Sequence, residues 1–439
     1  MKNLPKRLRD VGLHAALFLA LMVFLWLSLT AAAAIPNDAI RANTEKSVMY
    51  YAETNPYQFH SKRWSAIEDN YADAILLGIT WNMGEGNPFV SALNTCYNDG
   101  GDAGENTGLF NTVMEGAAPN TDYTRYWHGS AAVIRPLLCI TDVQGIKWIG
   151  FAVMLVLIGV SMAMLVRQKH ADLAVLLALS LLAVHIWNVR LSLEYQPPFL
   201  ITFAMLPLWL IFERRSDRAL SMLSVAAGAA VAFFDFLTTE TLTVLLPLIL
   251  VTAIRAKEDR LAPRGVMIRQ YAACGAGWIL AYAGAFLWKW IAASAVSGES
   301  VFAHALSSVG ERVGTQMSSS GVPEPLSFFS PLTGNLTMLF TAEKRVSYLP
   351  TWIFVTLVLG VLLAVWYMMR RGPAQRDAAI LLLLLGAMVP LRYLVLNNHS
   401  YMHVFFTYRA MASAILAMLA ALWLQIRPGN GKKGRKKRR

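Results

Sequence analysis

Charged residues are scarce in this sequence of 439 residues. Only 15% of the chain is Asp, Glu, Lys or Arg, whereas 56% is hydrophobic and the mean hydropathy is +0.44. A soluble domain cannot keep so large an apolar fraction away from water, so the composition excludes an ordinary soluble protein. The sequence therefore predicts a membrane protein.

Cysteine is rare as well, with three in the whole chain. Cys96 and Cys139 fall in the same long polar segment, where an oxidising compartment would let them form a disulfide. Two free thiols are the alternative, and the sequence leaves both open. Cys274 lies in an apolar run, where its expected role is packing.

The sequence also lacks an internal repeat and the paired broken helices that are typical of many secondary transporters. It has instead a series of apolar runs long enough to cross a bilayer. Backbone amides inside lipid must bond within their own segment, so we predict that these runs are helices. Their approximate bounds are 12–34, 147–166, 171–189, 197–213, 219–235, 237–254, 270–293, 351–369, 377–395 and 402–426. The predicted fold class is an all-α polytopic membrane protein with ten transmembrane helices.

Lys and Arg stay on the cytoplasmic side of membrane proteins, and their distribution predicts the orientation. The first residues are basic, and so are alternate connections after them: 167–169, 213–218, 254–265, 370–376 and the tail 427–439. Ten spans with both termini in the cytoplasm place every basic connection on the cytoplasmic side. The start of the chain also has the features of a cleavable signal peptide, and the following loop is external in either case.

Two external segments are much longer than compact helix connections require. Residues 1–34 are therefore predicted to form the N-terminus and the first helix, 35–146 the first external loop and 147–293 six helices. Residues 294–350 are predicted to form the second external loop, 351–426 three helices and 427–439 the tail. Within the first loop, residues 64–82 have helical periodicity, and residues 84–125 are rich in Gly, Asn and Asp and are predicted to be irregular. Function is predicted on this external side.

The net charge of +12 comes mainly from the tail and the internal connections. Topology and attraction of the basic tail to anionic lipid headgroups explain this charge, so we do not predict nucleic-acid binding.

Ionisable and polar residues recur near the predicted external ends of the helices. Each is unfavourable beside lipid, by about 2.5–3.5 kcal/mol at the bilayer centre and less near the interface. A single one could be an ion pair that joins helices, but the set predicts a polar cavity that opens to the exterior. Its members are Asp69, Asp73, His128, Arg135, Arg190, Glu194, Asp235, Glu240, Lys289, Arg392, His399, His403, Tyr408 and Arg409.

His399 and His403 have the four-residue spacing of a helical metal-binding pair. Hydrogen bonding to a phosphate or a sugar and anchoring at the interface are the alternatives, so a divalent metal is a candidate cofactor only. Trp64, Trp81 and Trp127 lie in the first loop near carboxylates, where their rings could stack on a sugar.

A ligand that needs carboxylates, cations and aromatic rings at the membrane boundary is a lipid-linked sugar phosphate. Its tail would lie among apolar helices, its phosphate would bind Arg, Lys and His, and its sugar would contact Trp and Asp. Glycosyl transfer would also need a carboxylate to take the proton of the acceptor hydroxyl. Cations would stabilise the leaving phosphate.

The layout of the whole chain resembles the polyprenyl-phosphate-sugar-dependent membrane glycosyltransferases of the GT-C class. These have ten or more spans and a long first external loop that carries a catalytic acid, often as a carboxylate pair just after the first span. Here only Asp38, in IPNDAI, is so placed, and the next acidic group is IEDNYAD. The base assignment is therefore open between Asp69, Asp73 and Asp38.

The resemblance implies roles for the remaining residues. Donor-phosphate binding is predicted for Arg135, Arg392, Arg409, His399, His403 and Lys289. Sugar or acceptor contacts are predicted for Trp64, Trp81, Trp127, His128, Tyr408, Asp235, Glu240, Arg190 and Glu194. The strings YWHG, FDFLTTE and NHSYMHVFFTYR also resemble a group of bacterial multi-pass proteins, which implies a bacterial inner membrane. A transporter or flippase of a lipid-linked or anionic solute, and a non-catalytic assembly protein, are the alternative functions.

Overall fold

A computed structural model describes residues 6–298, 300–313, 327–340, 348–369 and 375–426. In these residues helices predominate and the strands are very short, which confirms the predicted all-α membrane class. The basic tail and much of the predicted second external loop lie outside the described residues.

The chain begins with a long apolar helix, α1, Lys6–Ala33. Pro36 follows it and precedes the next helix, α2, Asn37–Ala52. Because proline lacks an amide hydrogen and fixes its own backbone angle, it suits the boundary before a helix. The chain thus leaves the apolar layer and turns into a second helix within three residues.

Residues 34–142 form a mixed segment that packs over one end of the helices, which we call the loop end. After α2 it contains α3, Asn70–Asn82; α4, Pro88–Ser91; α5, Glu105–Met114; and α6, Ala131–Leu138. Its strands are β1, Tyr57–Phe59; β2, Ile67–Asp69; β3, Cys96–Tyr97; and β4, Thr121–Asp122. Strand β1 pairs antiparallel with β2, with Tyr57 opposite Asp69, and β3 pairs antiparallel with β4.

The helix predicted over 64–82 begins only at Asn70. Residues Trp64–Ala66 form a short 3₁₀ turn, and strand β2 separates this turn from α3. The side chain of Asp69 accepts a hydrogen bond from the Ala72 amide and so caps the start of α3. Capping by Asp satisfies an amide that the first helical turn leaves without a partner, so the helix starts here.

Six helices follow this segment in succession. They are α7, Val143–Arg167; α8, Ala171–Ala183; α9, Pro197–Phe212; α10, Asp217–Phe234; α11, Leu242–Lys257; and α12, Arg264–Ser297. Helix α11 lies at the centre, in contact with α9, α10, α12, α16 and α19, and every residue from Leu242 to Ala256 is buried. A helix surrounded on all sides by helices is expected to be apolar all round, as this one is.

The last part of the chain contributes seven more helices within the ranges that the structure describes. They are α13, Val301–Val313; α14, Ser330–Leu339; α15, Tyr348–Met369; α16, Arg376–Val395; α17, Asn397–Met402; α18, Val404–Thr407; and α19, Met411–Ile426. A 3₁₀ turn, Tyr408–Ala410, joins the last two.

Among the described residues, six segments are long and apolar enough to cross a membrane. Their bounds are Leu8–Ala33, Val143–Arg167, Asp217–Phe234, Arg264–Ser297, Arg376–Val395 and Val404–Ile426. Each of the ten predicted spans contains helix, but Ala171–Ala183 and Pro197–Phe212 are shorter than a straight span requires. The membrane class is therefore shown, and the count of ten stays a prediction.

Basic connections lie together at the end of the helices opposite the loop end, and we call this the basic end. Arg214 pairs with Glu258, and His170 lies 3.2 Å from the same carboxylate. Three connections that sequence analysis placed on one side of the membrane thus contact each other. Cys96, Cys139 and Cys274 are all free thiols, and Cys274 is buried.

Helices α10 and α12 pack closely through small residues. A Cβ atom added at Gly228 would overlap the backbone carbonyl oxygen of Trp278 on α12. Small residues allow helix backbones to approach in membrane proteins, and this contact needs a residue without a side chain.

We therefore expect Gly228→Ala to lower the free energy of unfolding by about 1–3 kcal/mol through overpacking. The midpoint of thermal unfolding in detergent micelles measures this loss. Gly159→Ala on α7 is the control, because a Cβ atom there meets nothing within 4 Å. Equal midpoints for the two variants would contradict the close packing of α10 and α12.

Candidate functional site

A polar cavity of about 80 Å³ lies at the loop end, between segments that are far apart in the chain. Most of the stretches that carry the polar residues near the predicted external helix ends contribute to its wall. The lining residues are Tyr57, Asp69, Tyr71, Ala72, Ile75, Leu76, Tyr123, Tyr126, His128, Glu194, Phe236, Arg312, His399, His403 and Phe406. Of the predicted site residues, the structure thus brings together Asp69, His128, Glu194, His399 and His403.

Asp69 reaches the cavity because it ends β2 and caps α3. One carboxylate oxygen, Oδ1, accepts the Ala72 amide hydrogen at 3.1 Å, and the side chain has no ion-pair partner among the described residues. Burial disfavours the charged form and, together with the negative charge of Asp73, raises the pKa of Asp69 to about 7, although the Ala72 hydrogen bond opposes the shift. Asp69 can therefore gain or lose a proton near neutral pH.

Asp69 and Asp73 are four residues apart and would share a face of the helix predicted over 64–82, but Asp73 is not among the residues that line the cavity. Asp69 precedes the helix as its cap, and Asp73 lies inside it. Lys147 Nζ lies 2.7 Å from Asp73 Oδ2 and 2.8 Å from Glu68 Oε1, and all three residues are almost completely buried. We call Glu68, Lys147 and Asp73 the buried triad.

The buried triad also holds the segment that carries Glu194. Asp73 Oδ1 accepts hydrogen bonds from Ser192 Oγ at 2.7 Å and from the Leu193 amide at 2.9 Å. Burial alone would raise the pKa of Glu68, but the charge of Lys147 and its hydrogen bond lower it to about 2. Burial raises the pKa of Asp73, although the charge and hydrogen bond of Lys147 oppose this shift. The triad is therefore structural, since its members bind one another and lie outside the lining of the cavity.

Glu194 is half-buried in the cavity wall, and its carboxylate has no hydrogen-bond or ion-pair partner in the described part of the chain. Burial, with the negative charges of Asp69, Asp73 and Asp235, raises the pKa of Glu194 well above its ordinary value. A protonated Glu194 can donate a hydrogen bond to a ligand oxygen, whereas an ionised Asp69 can accept one.

His128 is held in a backbone conformation that is unusual for histidine, with φ of 51°. Only glycine adopts such left-handed angles without cost. Its Nε2 lies 3.1 Å from the Tyr123 carbonyl oxygen, which can only accept, so Nε2 carries the proton. Burial lowers the pKa of His128 to about 3 despite that hydrogen bond, so the ring is neutral and Nδ1 is a buried acceptor with no partner among the described residues.

His399 and His403 lie side by side, with ring centroids 4.7 Å apart. His399 donates from Nε2 to the Leu237 carbonyl oxygen at 2.9 Å, and the His403 ring stacks on Phe406. Among the described residues, no group of three or more His, Cys, Asp or Glu side chains is placed to hold a metal ion. The pair therefore has only two side chains of the set that a metal centre needs.

A second cavity, apolar and about 300 Å³ in volume, adjoins the first, and we call it the apolar groove. Tyr126 and Arg312 line both spaces. Helices α12 and α13 form most of the groove, with Phe286, Trp290 and Val309 in its wall.

Two arginines lie at the polar end of the groove. The guanidinium carbons of Arg125 and Arg312 each lie 5.3 Å from the centre of the Tyr126 ring. Arg312 Nη1 donates to the Ser308 carbonyl oxygen at 3.0 Å, and Arg125 Nη1 lies 3.4 Å from His304 Nε2. Neither arginine forms an ion pair with a carboxylate in the described residues, and the Nε atom of each is buried with no hydrogen-bond partner there. Unpaired guanidinium groups at the end of an apolar groove are suited to an anion that carries a long apolar chain.

The cations predicted to bind donor phosphate lie elsewhere and bind the protein itself. Arg135 donates to the carbonyl oxygens of Ile35 and Thr80, and Lys289 donates to Leu93 O at 2.5 Å. Arg392 pairs with Glu240 at 2.8 Å. Arg409 donates to the carbonyl oxygens of Phe405 and Ser65. Buried cations need such partners, so these four groups stabilise helix ends and loops.

The predicted tryptophans also pack inside the protein. Trp127 donates from Nε1 to Ala285 O, Trp81 lies under Arg41, and Trp64 packs on Phe59. The aromatic residues that line the cavity are instead Tyr57, Tyr71, Tyr123, Tyr126, Phe236 and Phe406.

The remaining predicted residues surround the site without lining it. Tyr408 donates to the Val184 carbonyl, Arg190 lies over Trp148, and Asp235 accepts from the Thr238 amide. The side chain of Asp38 is 91% exposed, on the first turn of α2.

Arg312 is the main residue that sequence analysis missed. It lies in α13, within the predicted second external loop and outside every predicted span. The signal available was the amphipathic pattern VFAHALSSVGERV, which places Arg312 on a helix with apolar residues that face a neighbour. Tyr71 lies within the stretch 64–82 and Tyr126 within the string YWHG, and neither was assigned a role in the site.

No protein-family model, no curated protein and no solved structure matches this chain.

The raised pKa of Asp69 predicts a pH-dependent stability. A carboxyl whose folded pKa of about 7 exceeds its unfolded value favours the folded state only while protonated, so this contribution is lost as the pH rises from about 4 to 7. Asp69→Asn should therefore unfold at a higher temperature than the native protein at pH 8, with little difference at pH 4. Thermal unfolding in detergent at both pH values measures the effect, and an equal difference at both would contradict it.

Proposed function

We propose that this protein is a membrane glycosyltransferase that moves a sugar from a polyprenyl-phosphate donor to an acceptor at the loop end. The proposal rests on one observation: Tyr126 and Arg312 line both the cavity that contains carboxylates and the apolar groove, so the two spaces adjoin. A donor of this class has an apolar chain, a phosphate and a sugar in that order. The groove, the two arginines and the cavity lie in the same order.

In the proposed reaction, an acceptor hydroxyl oxygen attacks the anomeric carbon of the donor sugar. Asp69, ionised, takes the hydroxyl proton as the new carbon–oxygen bond forms. The bond between the anomeric carbon and the phosphate oxygen breaks, and its electron pair leaves with the lipid phosphate. A general base works best when its pKa is near the working pH, and a pKa of about 7 suits this role.

Arg312 and Arg125 would stabilise the charge that develops on the leaving phosphate. Glu194 as a donor and His128 Nδ1 as an acceptor would orient the sugar hydroxyls. A sugar ring is larger than the cavity as it stands, so we propose that the lining side chains move apart when the donor enters, as side chains at binding surfaces commonly do.

The proposed topology has ten spans, both termini in the cytoplasm and two long external loops, as in the GT-C class. Its support is the placement of the basic connections at one end and of the cavity at the other. In this arrangement the protein would reside in a bacterial inner membrane and act on its outer face.

Asp69→Asn should reduce the initial rate of sugar transfer by about 10²–10⁴-fold, because the base is removed. The assay uses the purified protein in proteoliposomes with a panel of radiolabelled polyprenyl-phosphate hexoses and pentoses. Asp38→Asn is the matched control, since it removes an exposed carboxylate near the same segment. Full activity of Asp69→Asn would refute the assignment. Movement of intact donor across the bilayer without transfer would instead support a flippase.

Arg312→Gln should weaken binding of a polyprenyl phosphate by about tenfold to a hundredfold, because a charge-assisted hydrogen bond is lost. Titration of the lipid phosphate against the protein in detergent, followed by thermal unfolding, measures this affinity. Arg41→Gln removes an exposed cation away from the groove and should leave the affinity unchanged. Equal affinities for native protein and Arg312→Gln would place the phosphate elsewhere.

A further inference from the structure

A third cavity, of about 440 Å³, lies at the basic end, far from the proposed reaction site. Three connections form it, those between α7 and α8, between α9 and α10, and between α11 and α12. Its lining residues are Arg167, Gln168, Lys169, His170, Arg214, Lys257 and Glu258. The wall thus carries four cations and one carboxylate.

The cations of this cavity are only partly neutralised. Lys257 pairs with Asp172, and Arg214 pairs with Glu258. Arg167 and Lys169 are exposed and have no carboxylate partner in the described part of the chain. Cations near helix C-termini and on the cytoplasmic side are common, so the charge alone would not indicate a ligand.

His170 supplies an independent observation. Its side chain is only 3% exposed, Nε2 lies 3.2 Å from Glu258 Oε1, and Nδ1 has no hydrogen-bond partner among the described residues. Buried polar atoms are nearly always satisfied, so unpaired ones in a roomy cationic cavity indicate a missing ligand.

We infer that the cavity formed by Arg167, Lys169, His170 and Arg214 binds a phosphate-bearing anion. Guanidinium and ammonium groups from separate loops can contact several phosphate oxygens. The His170 ring, when protonated, can donate from Nδ1 to another phosphate oxygen while Nε2 donates to Glu258. The volume leaves room for an organic group attached to the phosphate. Because the cavity borders the end of α7, an apolar span, the headgroup of an anionic phospholipid is one source, and a soluble phosphate is the other.

The test compares two double variants that remove the same charge from the same end of the protein. Arg167→Gln with Lys169→Gln removes the unpaired cations of the cavity. Arg264→Gln with Arg269→Gln removes two exposed cations at the start of α12, outside the cavity. All four positions are exposed, and the unfolding temperature of each purified variant verifies its fold.

Native mass spectrometry in detergent, with phosphatidylglycerol and phosphatidylcholine as probes, measures lipid binding. We expect the native protein and the α12 variant to retain phosphatidylglycerol in preference to phosphatidylcholine, and the cavity variant to bind it at least about tenfold more weakly. In a second arm, inorganic phosphate is titrated and its effect on thermal unfolding is measured.

Stabilisation of the native protein by inorganic phosphate, lost in the cavity variant, would assign the site to a soluble phosphate even if the lipid shows no preference. Equal loss of phosphatidylglycerol in both double variants would show a general surface charge effect and overturn the inference. Absence of an effect in both arms would overturn it too.

Discussion

Lys147 lies between Glu68 and Asp73 in the interior of the protein, and the geometry of the loop end depends on this contact. A buried ammonium group is strongly unfavourable unless it is paired, so the two carboxylates and the lysine can hold only one arrangement. Through Glu68 the contact fixes β2, through Asp73 it fixes α3, and through Lys147 it ties both to the start of α7. Ser192 and Leu193 donate hydrogen bonds to Asp73 and thereby fix the position of the neighbouring Glu194 relative to β2 and α3.

The ionisable residues of the loop end therefore divide into two groups. One group is paired inside the protein and stabilises it, such as Arg392 with Glu240 or Arg135 with backbone carbonyls. The other has no ionic partner in the described residues and lines the two adjoining spaces, such as Asp69 and Arg312. The contacts of the first group hold the helix ends and loops that carry the second group, so the first group positions the lining of the two spaces.

The sequence predicted the class of protein and the places where helices form, because long apolar runs have few alternatives in lipid. It also predicted that stretches near 69, 128, 194 and 400 belong to one region, because their polar residues share one membrane level. It did not predict which side chain of each stretch faces the cavity. The helix expected from residue 64 starts at Asn70, and this shift separates Asp69 from Asp73.

The remaining differences have a common physical reason. Arginines near the predicted external ends of the helices were predicted to bind a phosphate, but Arg135 and Arg409 bond to backbone carbonyls, which every residue carries. The tryptophans are large enough to fill the interior, as Trp127 does. Such contacts depend on the tertiary fold, and neither periodicity nor spacing encodes them.

The left-handed backbone of His128 has a consequence for how robust this protein can become. Glycine at that position would relax the main chain, since it lacks the Cβ atom that makes the conformation unfavourable. The same exchange would delete an imidazole from the wall and leave a gap among three aromatic rings. A relaxed main chain and a filled cavity wall therefore require different residues at this one position, and the loss of the buried ring offsets the relief of backbone strain.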